Sequence, residues 1–415
     1  MMNKEMKTVG LVASVLLLSA CGWNGPVERP TLAYDFDEQA AAVARAQAAG
    51  HDCVFNGVEV RYDFPQARVD GCEQRDDGTI VVMTAPENQP INPSPWYAFQ
   101  VVADSEQTVA LEVLALERGR ARYNPKVSND GAVWESVEHS KSDHSIYFSL
   151  DVGPQPVWVA GQEMFGNEDY WQWLNGLAEV GSGSGSGSGS AGELRRFTIG
   201  YSAQGRPMPA LVSYGSGDEW LILIGRQHPP ELTGAMAMRS FVEEMLAEGG
   251  EFLARYNVLI APNLNPDGVA LGNWRHSTGG LDLNRDWFDH SQPEIAAVHT
   301  FLQEIVAEGG DLVYGVDFHS TWRNVYYTMP VDYVERESTF SQDWLLQLGA
   351  AVPYEVEEQA SAAPGRGIFK QYMADEYGVH SVTYEVGDDT DRDEIDHTAR
   401  AAATTLMQYM LQRPH

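Results

Sequence analysis

The chain has 415 residues, enough for two domains, and 43% of them are hydrophobic, with 11 Trp and 18 Tyr to fill the cores. Against 27 Lys and Arg stand 59 Asp and Glu, a formal charge of −32. So acidic a surface argues against nucleic acid or an anionic membrane as a partner and suits a soluble protein or a salty environment.

The N-terminus reads as a targeting segment. Lys4 and Lys7 precede an apolar stretch, residues 9–18, and Leu18-Ser-Ala-Cys21 follows as a lipobox-like cleavage site. The stretch is shorter than the roughly 20 residues that span a bilayer, so residues 1–20 are expected to be a signal peptide and Cys21 a lipidated N-terminal cysteine on a tether, 21–33. This places the protein in the bacterial cell envelope as a periplasmic or outer-membrane lipoprotein, touching membrane only through its lipid anchor; a plain secretory signal is the alternative. Lipidation of Cys21 leaves Cys53 and Cys72, which an exported compartment allows to form a disulfide, the alternative being two buried thiols.

Residues 40–49 are Ala-rich and read as a short helix or part of the tether. Between 34 and 160, short runs such as Val58-Glu-Val-Arg-Tyr62, Thr79-Ile-Val-Val-Met83 and Ser145-Ile-Tyr-Phe-Ser-Leu150 are separated by Pro, Asn, Asp and Gly. Several alternate apolar with polar, which predicts an antiparallel β-sandwich. From 161 to 415 the texture changes to α/β: apolar strand-like runs alternate with amphipathic stretches at 235–246, 293–307 and 399–411, predicting a largely parallel mixed sheet flanked by helices. Asp169-Tyr-Trp-Gln-Trp-Leu-Asn-Gly-Leu177 opens this half as a helix, and a Gly-Ser tract follows, 181–192, expected as a flexible loop.

Four elements carry chemistry. Trp220-Leu-Ile-Leu-Ile224 reads as a buried strand, and just past it comes Gln227-His-Pro-Pro-Glu-Leu-Thr-Gly234. A His and a carboxylate at this spacing can hold one Zn²⁺, although alone they read equally as a capped helix start. Next come Ala261-Pro-Asn-Leu-Asn-Pro-Asp-Gly268, Gly272-Asn-Trp-Arg275 and Leu281-Asp-Leu-Asn-Arg-Asp-Trp287. Val316-Asp-Phe-His319 ends an apolar run, and Ser381-Val-Thr-Tyr-Glu385-Val-Gly387 ends another. In these four elements the chain resembles the zinc metallocarboxypeptidases of the funnelin type, closest to the bacterial and cytosolic branch with an N-terminal β-sandwich.

The chemistry of the residues agrees. His228, Glu231 and His319 offer three protein ligands for one zinc, leaving a position for water. Glu385 is the candidate general base, Arg275 the group that polarises the scissile carbonyl, and Asn284 with Arg285 the planar fork for a terminal carboxylate. Asp282 is expected to orient His228 through its other ring nitrogen. Lys370 stands close to where deglutamylating relatives carry a basic pocket residue, which implies a preference for acidic C-terminal residues. His276, beside Arg275, is expected to line the cleft. The family's digestive members carry a mobile tyrosine upstream of the catalytic Glu; Tyr354 and Tyr372 are the nearest here and neither matches it.

The expected activity is a zinc-dependent carboxypeptidase acting on peptides with a free C-terminal carboxylate. An N-acyl amino-acid deacylase or peptidoglycan-peptide amidase needs the same groups, and an inactive lipoprotein serving as a binding module is the alternative outside catalysis.

Overall fold

The computed structural model describes residues 29, 33–89, 93–182 and 193–413. The signal segment, Cys21 and residues 183–192 of the Gly-Ser tract lie outside these; Gly181 and Ser182, expected in the loop, instead end the helix Asn167–Ser182.

After a helix, Glu38–Ala49, the N-terminal half forms two facing sheets. One has six strands, in the order Val54–Phe55, Val58–Arg61, Ala98–Ala103, Val157–Ala160, Lys126–Ser128, Glu135–Ser136. The other has five: Gly71–Gln74, Ile80–Thr84, Gln107–Ala115, Ser145–Val152, His139–Lys141. Alternate residues point inward, so Val60, Phe99, Val101, Val82, Leu111, Val113, Ile146 and Phe148 meet in a core between the sheets. The sandwich is antiparallel throughout but for one pair of strands. Ile80–Thr84 and Gln107–Ala115 pair in parallel, Ile80 opposite Leu111, because the intervening strand Ala98–Ala103 crosses to the other sheet and returns the chain to the same end. Cys53 and Cys72 are joined in a disulfide with a Cα–Cα distance of 5.6 Å; closing a loop of this size stabilises a fold by about 3 kcal/mol.

The C-terminal half is built on one eight-stranded sheet, ordered Glu193–Tyr201, Pro207–Tyr214, Asn257–Ala261, Glu219–Gly225, Asp311–Thr321, Ser381–Gly387, Val325–Thr328, Glu358–Ala360. Its central strands pair in parallel, from Asn257–Ala261 across to Ser381–Gly387. They are buried along almost their whole length, as a sheet covered on both faces requires, and this is why they read as unbroken apolar runs. Helices Leu232–Glu248, Phe340–Ala351 and Arg392–Gln412 cover one face around Leu221, Leu223, Phe318 and Val382. Helices Pro293–Ala307 and Phe369–Tyr377 cover the other around Ile222, Ile224 and Leu312.

The halves meet along a broad seam. Trp274 of the second half is fully buried among Phe64, Ala67, Trp96, Ala98, Ala115 and Ala160 of the first. Arg122 reaches across to Asp388 with Nε–Oδ2 2.7 Å and Nη2–Oδ1 3.0 Å.

Candidate active site

In the parallel part of the sheet the strands all point their carboxyl ends one way, and the candidate residues collect there, as open α/β sheets dispose. Glu219–Gly225 ends, Arg226 turns the chain with a φ of 52°, and His228 follows in the connecting loop. Glu231 is the residue immediately before the helix Leu232–Glu248. His319 lies near the end of Asp311–Thr321, and Glu385 is its register partner on the neighbouring strand. The helix can approach so closely because residue 234 is glycine: a Cβ there would lie 2.4 Å from the His319 carbonyl oxygen.

His228 Nδ1 lies 2.8 Å from Glu231 Oε1, His319 Nδ1 lies 2.7 Å from Glu231 Oε2, and the two Nδ1 atoms are 3.2 Å apart. Both outer ring nitrogens face carboxylates: His228 Nε2 with Asp282 Oδ1 at 2.9 Å, His319 Nε2 with Asp317 Oδ2 at 2.8 Å. A carboxylate that accepts the Nε2 proton of an imidazole leaves Nδ1 as the nitrogen that can ligate a metal. Two imidazole nitrogens and a carboxylate turned to one point are a donor set for one cation. Two nitrogens bound tetrahedrally at about 2.0–2.1 Å stand roughly 3.3 Å apart, so the group fits a zinc ion. Asp317 was not among the residues singled out from the sequence, although its signal was present: two residues before His319 in a strand, it shares that residue's face.

A cavity of about 250 Å³ opens beside this group, and Glu385, Arg275, Asn284, Arg285 and Lys370 line it, whereas Asp282 stands behind. Glu385 Oε2 has no hydrogen-bond partner among the described residues. Burial pushes this carboxyl up to about 7; Glu231 adds to the rise, while His319, His228 and Arg122 oppose it. Asp282 does more than hold His228. Its Oδ2 accepts from Arg275 Nε at 2.7 Å and its Oδ1 from the Asn284 backbone N–H at 2.9 Å, so one carboxylate ties three site residues together. Asn284 Oδ1 accepts from Phe369 N–H at 2.9 Å, which leaves its amide NH₂ as the donor. Arg285 Nη1 donates to the Asn284 carbonyl at 2.5 Å. Lys370 Nζ donates to the Thr328 carbonyl at 3.0 Å and to the Ser361 carbonyl, and burial pushes its ammonium down to about 8.

Other residues of the cavity escaped the sequence reading. Arg122 comes from the sandwich half and donates to the Ser320 carbonyl at 2.9 Å, next to His319. Tyr327 is the cavity's phenol; Tyr354 and Tyr372 are not among its lining residues, and Tyr372 bonds instead to His299 Nδ1 at 2.6 Å. His276 is also absent from the lining, contrary to expectation, because its ring is drawn to Asn88 Oδ1 of the sandwich half at 3.0 Å.

Residues 191–405, just over half of the chain, match the zinc carboxypeptidase family. The chain belongs to that family. The family uses zinc, and His228, Glu231 and His319 are the group that could hold one ion. Among curated proteins the chain is similar to cytosolic carboxypeptidase 6 of Caenorhabditis elegans, 32% identical over 148 residues, which are 33% of this chain and 32% of that protein. It is similar to the Homo sapiens protein of the same name at 32% over 145 residues, 31% of this chain and 29% of that one. The match therefore spans less than a third of the length of these relatives. Among solved structures, the metallo-carboxypeptidase of Burkholderia cenocepacia is similar over 85% of this chain and 99% of its own, at 17% identity and a TM-score of 0.69. The metallo-carboxypeptidase of Pseudomonas aeruginosa, solved with (2-guanidinoethylmercapto)succinic acid, has the same coverage and TM-score at 20% identity. These two share the fold of both halves.

Proposed function

We propose that the protein is a carboxypeptidase that hydrolyses the last peptide bond of substrates with a free C-terminal carboxylate. The observation that carries this reading is the charge pattern of the cavity. In a chain of net charge −32, four cationic side chains, Arg122, Arg275, Arg285 and Lys370, face one space beside the His228, Glu231 and His319 group. A concave site of this sign attracts an anion against the field of the whole surface.

In this reading Arg285 and the Asn284 amide take the terminal carboxylate, which sets the scissile bond one residue away. Arg275, held by Asp282, donates to the carbonyl oxygen as negative charge develops there. When bound, zinc lowers the pKa of water and polarises a carbonyl. Glu385 takes the proton of the attacking water and returns it to the leaving amine, a role that suits a carboxyl raised towards neutrality. Lys370 favours acidic departing residues. The motif around Cys21 supports a lipid anchor in the cell envelope, to be tested by incorporation of a labelled fatty acid into wild type and C21A.

The deciding experiment compares hydrolysis of an N-blocked dipeptide, its C-terminal amide and an N-acylated amino acid, with and without a chelator. Chelator-sensitive turnover of the acid dipeptide alone is expected. Preference for the N-acylated amino acid identifies a deacylase, equal cleavage of acid and amide rejects the exopeptidase reading, and stoichiometric zinc without turnover on any of them identifies a binding protein.

A further inference from the structure

Arg275 and Asp282 both lie in the connection between the helix Pro266–Leu271 and the 3-10 turn Leu283–Arg285. Residues 273–282 contain neither helix nor strand, so no ladder of the catalytic half fixes the backbone that carries these side chains. Three successive backbone N–H groups in this loop turn to one carboxylate, and it belongs to the sandwich half. Trp274 N donates to Glu87 Oε2 at 2.8 Å, Arg275 N donates to Glu87 Oε1 at 3.0 Å, and His276 N donates to Glu87 Oε1. The Glu87 side chain is 10% exposed, so these charge-assisted bonds face little competition from water. Neighbours on the same sandwich segment extend the grip: Thr84 Oγ1 accepts from the Trp274 ring N–H at 3.0 Å, and Asn88 Nδ2 donates to the Gly280 carbonyl at 3.0 Å.

We propose that Glu87 is a positioning residue for the reaction: by fixing the backbone of residues 274–276 it sets where Arg275 stands in the cavity. The sandwich half is then part of the catalytic apparatus and not only an attached module. This inference rests on the reading of Arg275 as the group that polarises the scissile carbonyl. Displacing a catalytic group by about 1 Å costs up to roughly 100-fold in rate, whereas a carboxylate that only joins the two halves would leave kcat intact in protein that remains folded.

The test is a double-mutant cycle in the full chain, measuring kcat, KM, zinc content and melting temperature for E87A, R275A and E87A/R275A on an N-blocked dipeptide. E87A is expected to lower kcat by about 10- to 100-fold with zinc content unchanged and KM little altered. R275A is expected to lower kcat further than that, and the double variant to be no slower than R275A, because residues acting through one group are non-additive. Losses that multiply in the double variant, a wild-type kcat in E87A, or a loss that tracks zinc content would each overturn the role of Glu87. A wild-type kcat in R275A would instead overturn the reading of Arg275, so the two failures are distinguishable. E87Q retains an acceptor oxygen and the side-chain volume; it should show the same non-additivity on a smaller scale, and additivity there overturns the proposal even if E87A does not fold.

Discussion

Replacing Asp317 tests how far the zinc group depends on what lies behind it. Asp317 is fully buried; its Oδ2 accepts from His319 Nε2 and from Gln227 Nε2, both at 2.8 Å, and it is not itself among the residues that line the cavity. Without the carboxylate, His319 loses the partner that keeps its proton on Nε2, and the tautomer that protonates Nδ1 becomes competitive. A hydrogen bond to a charged group contributes about 1.5–3 kcal/mol, and loss of such an outer partner weakens metal binding by roughly 10- to 100-fold, or about 1.4–2.7 kcal/mol. D317A, measured by competition with a chromogenic chelator, should weaken zinc binding within that range and regain nearly wild-type kcat at saturating zinc. D282A should fall in both respects at once, since Asp282 also holds Arg275. Zinc affinity unchanged in D317A would refute the reasoning, and so would a kcat deficit that excess zinc does not restore.

E385Q should keep stoichiometric zinc and lose about 10²–10⁴-fold in kcat if this carboxylate is the base; retained turnover would remove it from that role. R285A should reduce the preference for a C-terminal carboxylate over the amide by roughly tenfold to a hundredfold, the equivalent of one charge-assisted bond, and an undiminished ratio of kcat/KM values would count against the fork. Lys370 gives a pH signature: its ammonium, pushed down to about 8 by burial, is present below that value and lost as the pH rises through it. The kcat/KM ratio for C-terminal Glu over Leu should therefore fall across this range in wild type and stay flat in K370M; a flat wild-type ratio would place specificity elsewhere.

What was legible in the sequence follows from where information is local. Trp220–Ile224 and the run ending in His319 announce themselves because strands buried on both faces have no polar alternation, and a His or Glu at the end of such a run is conspicuous. Hence His228, Glu231, His319 and Glu385 could be assembled on paper, and the structure brings them to one cavity. Asp317 was within reach, since strand periodicity alone aligns it with His319. Arg122 and Glu87 were not: they reach the site across 198 and 188 residues, and no spacing rule links two domains. His276 failed for the same reason. Its sequence neighbour Arg275 suggested the cleft, but the acceptor that decides its direction, Asn88, lies on a surface invisible from the second half. The parallel pair in the sandwich was hidden likewise, because alternation reports which face a residue takes and not which neighbour its strand finds.

The bond between Arg122 and Asp388 joins residues 266 positions apart, and this has a consequence for biosynthesis. Whichever channel the chain leaves, ribosome or export pore, the sandwich emerges first, so the surface that carries Glu87 and Arg122 precedes the loop of Arg275 and, later, the strand of Glu385. Until the strand Ser381–Gly387 has followed, the Arg122–Asp388 bond is unmade and the chain carries His228, Glu231 and His319 without Glu385. Of the residues lining the cavity, Glu385 is thus the last to arrive.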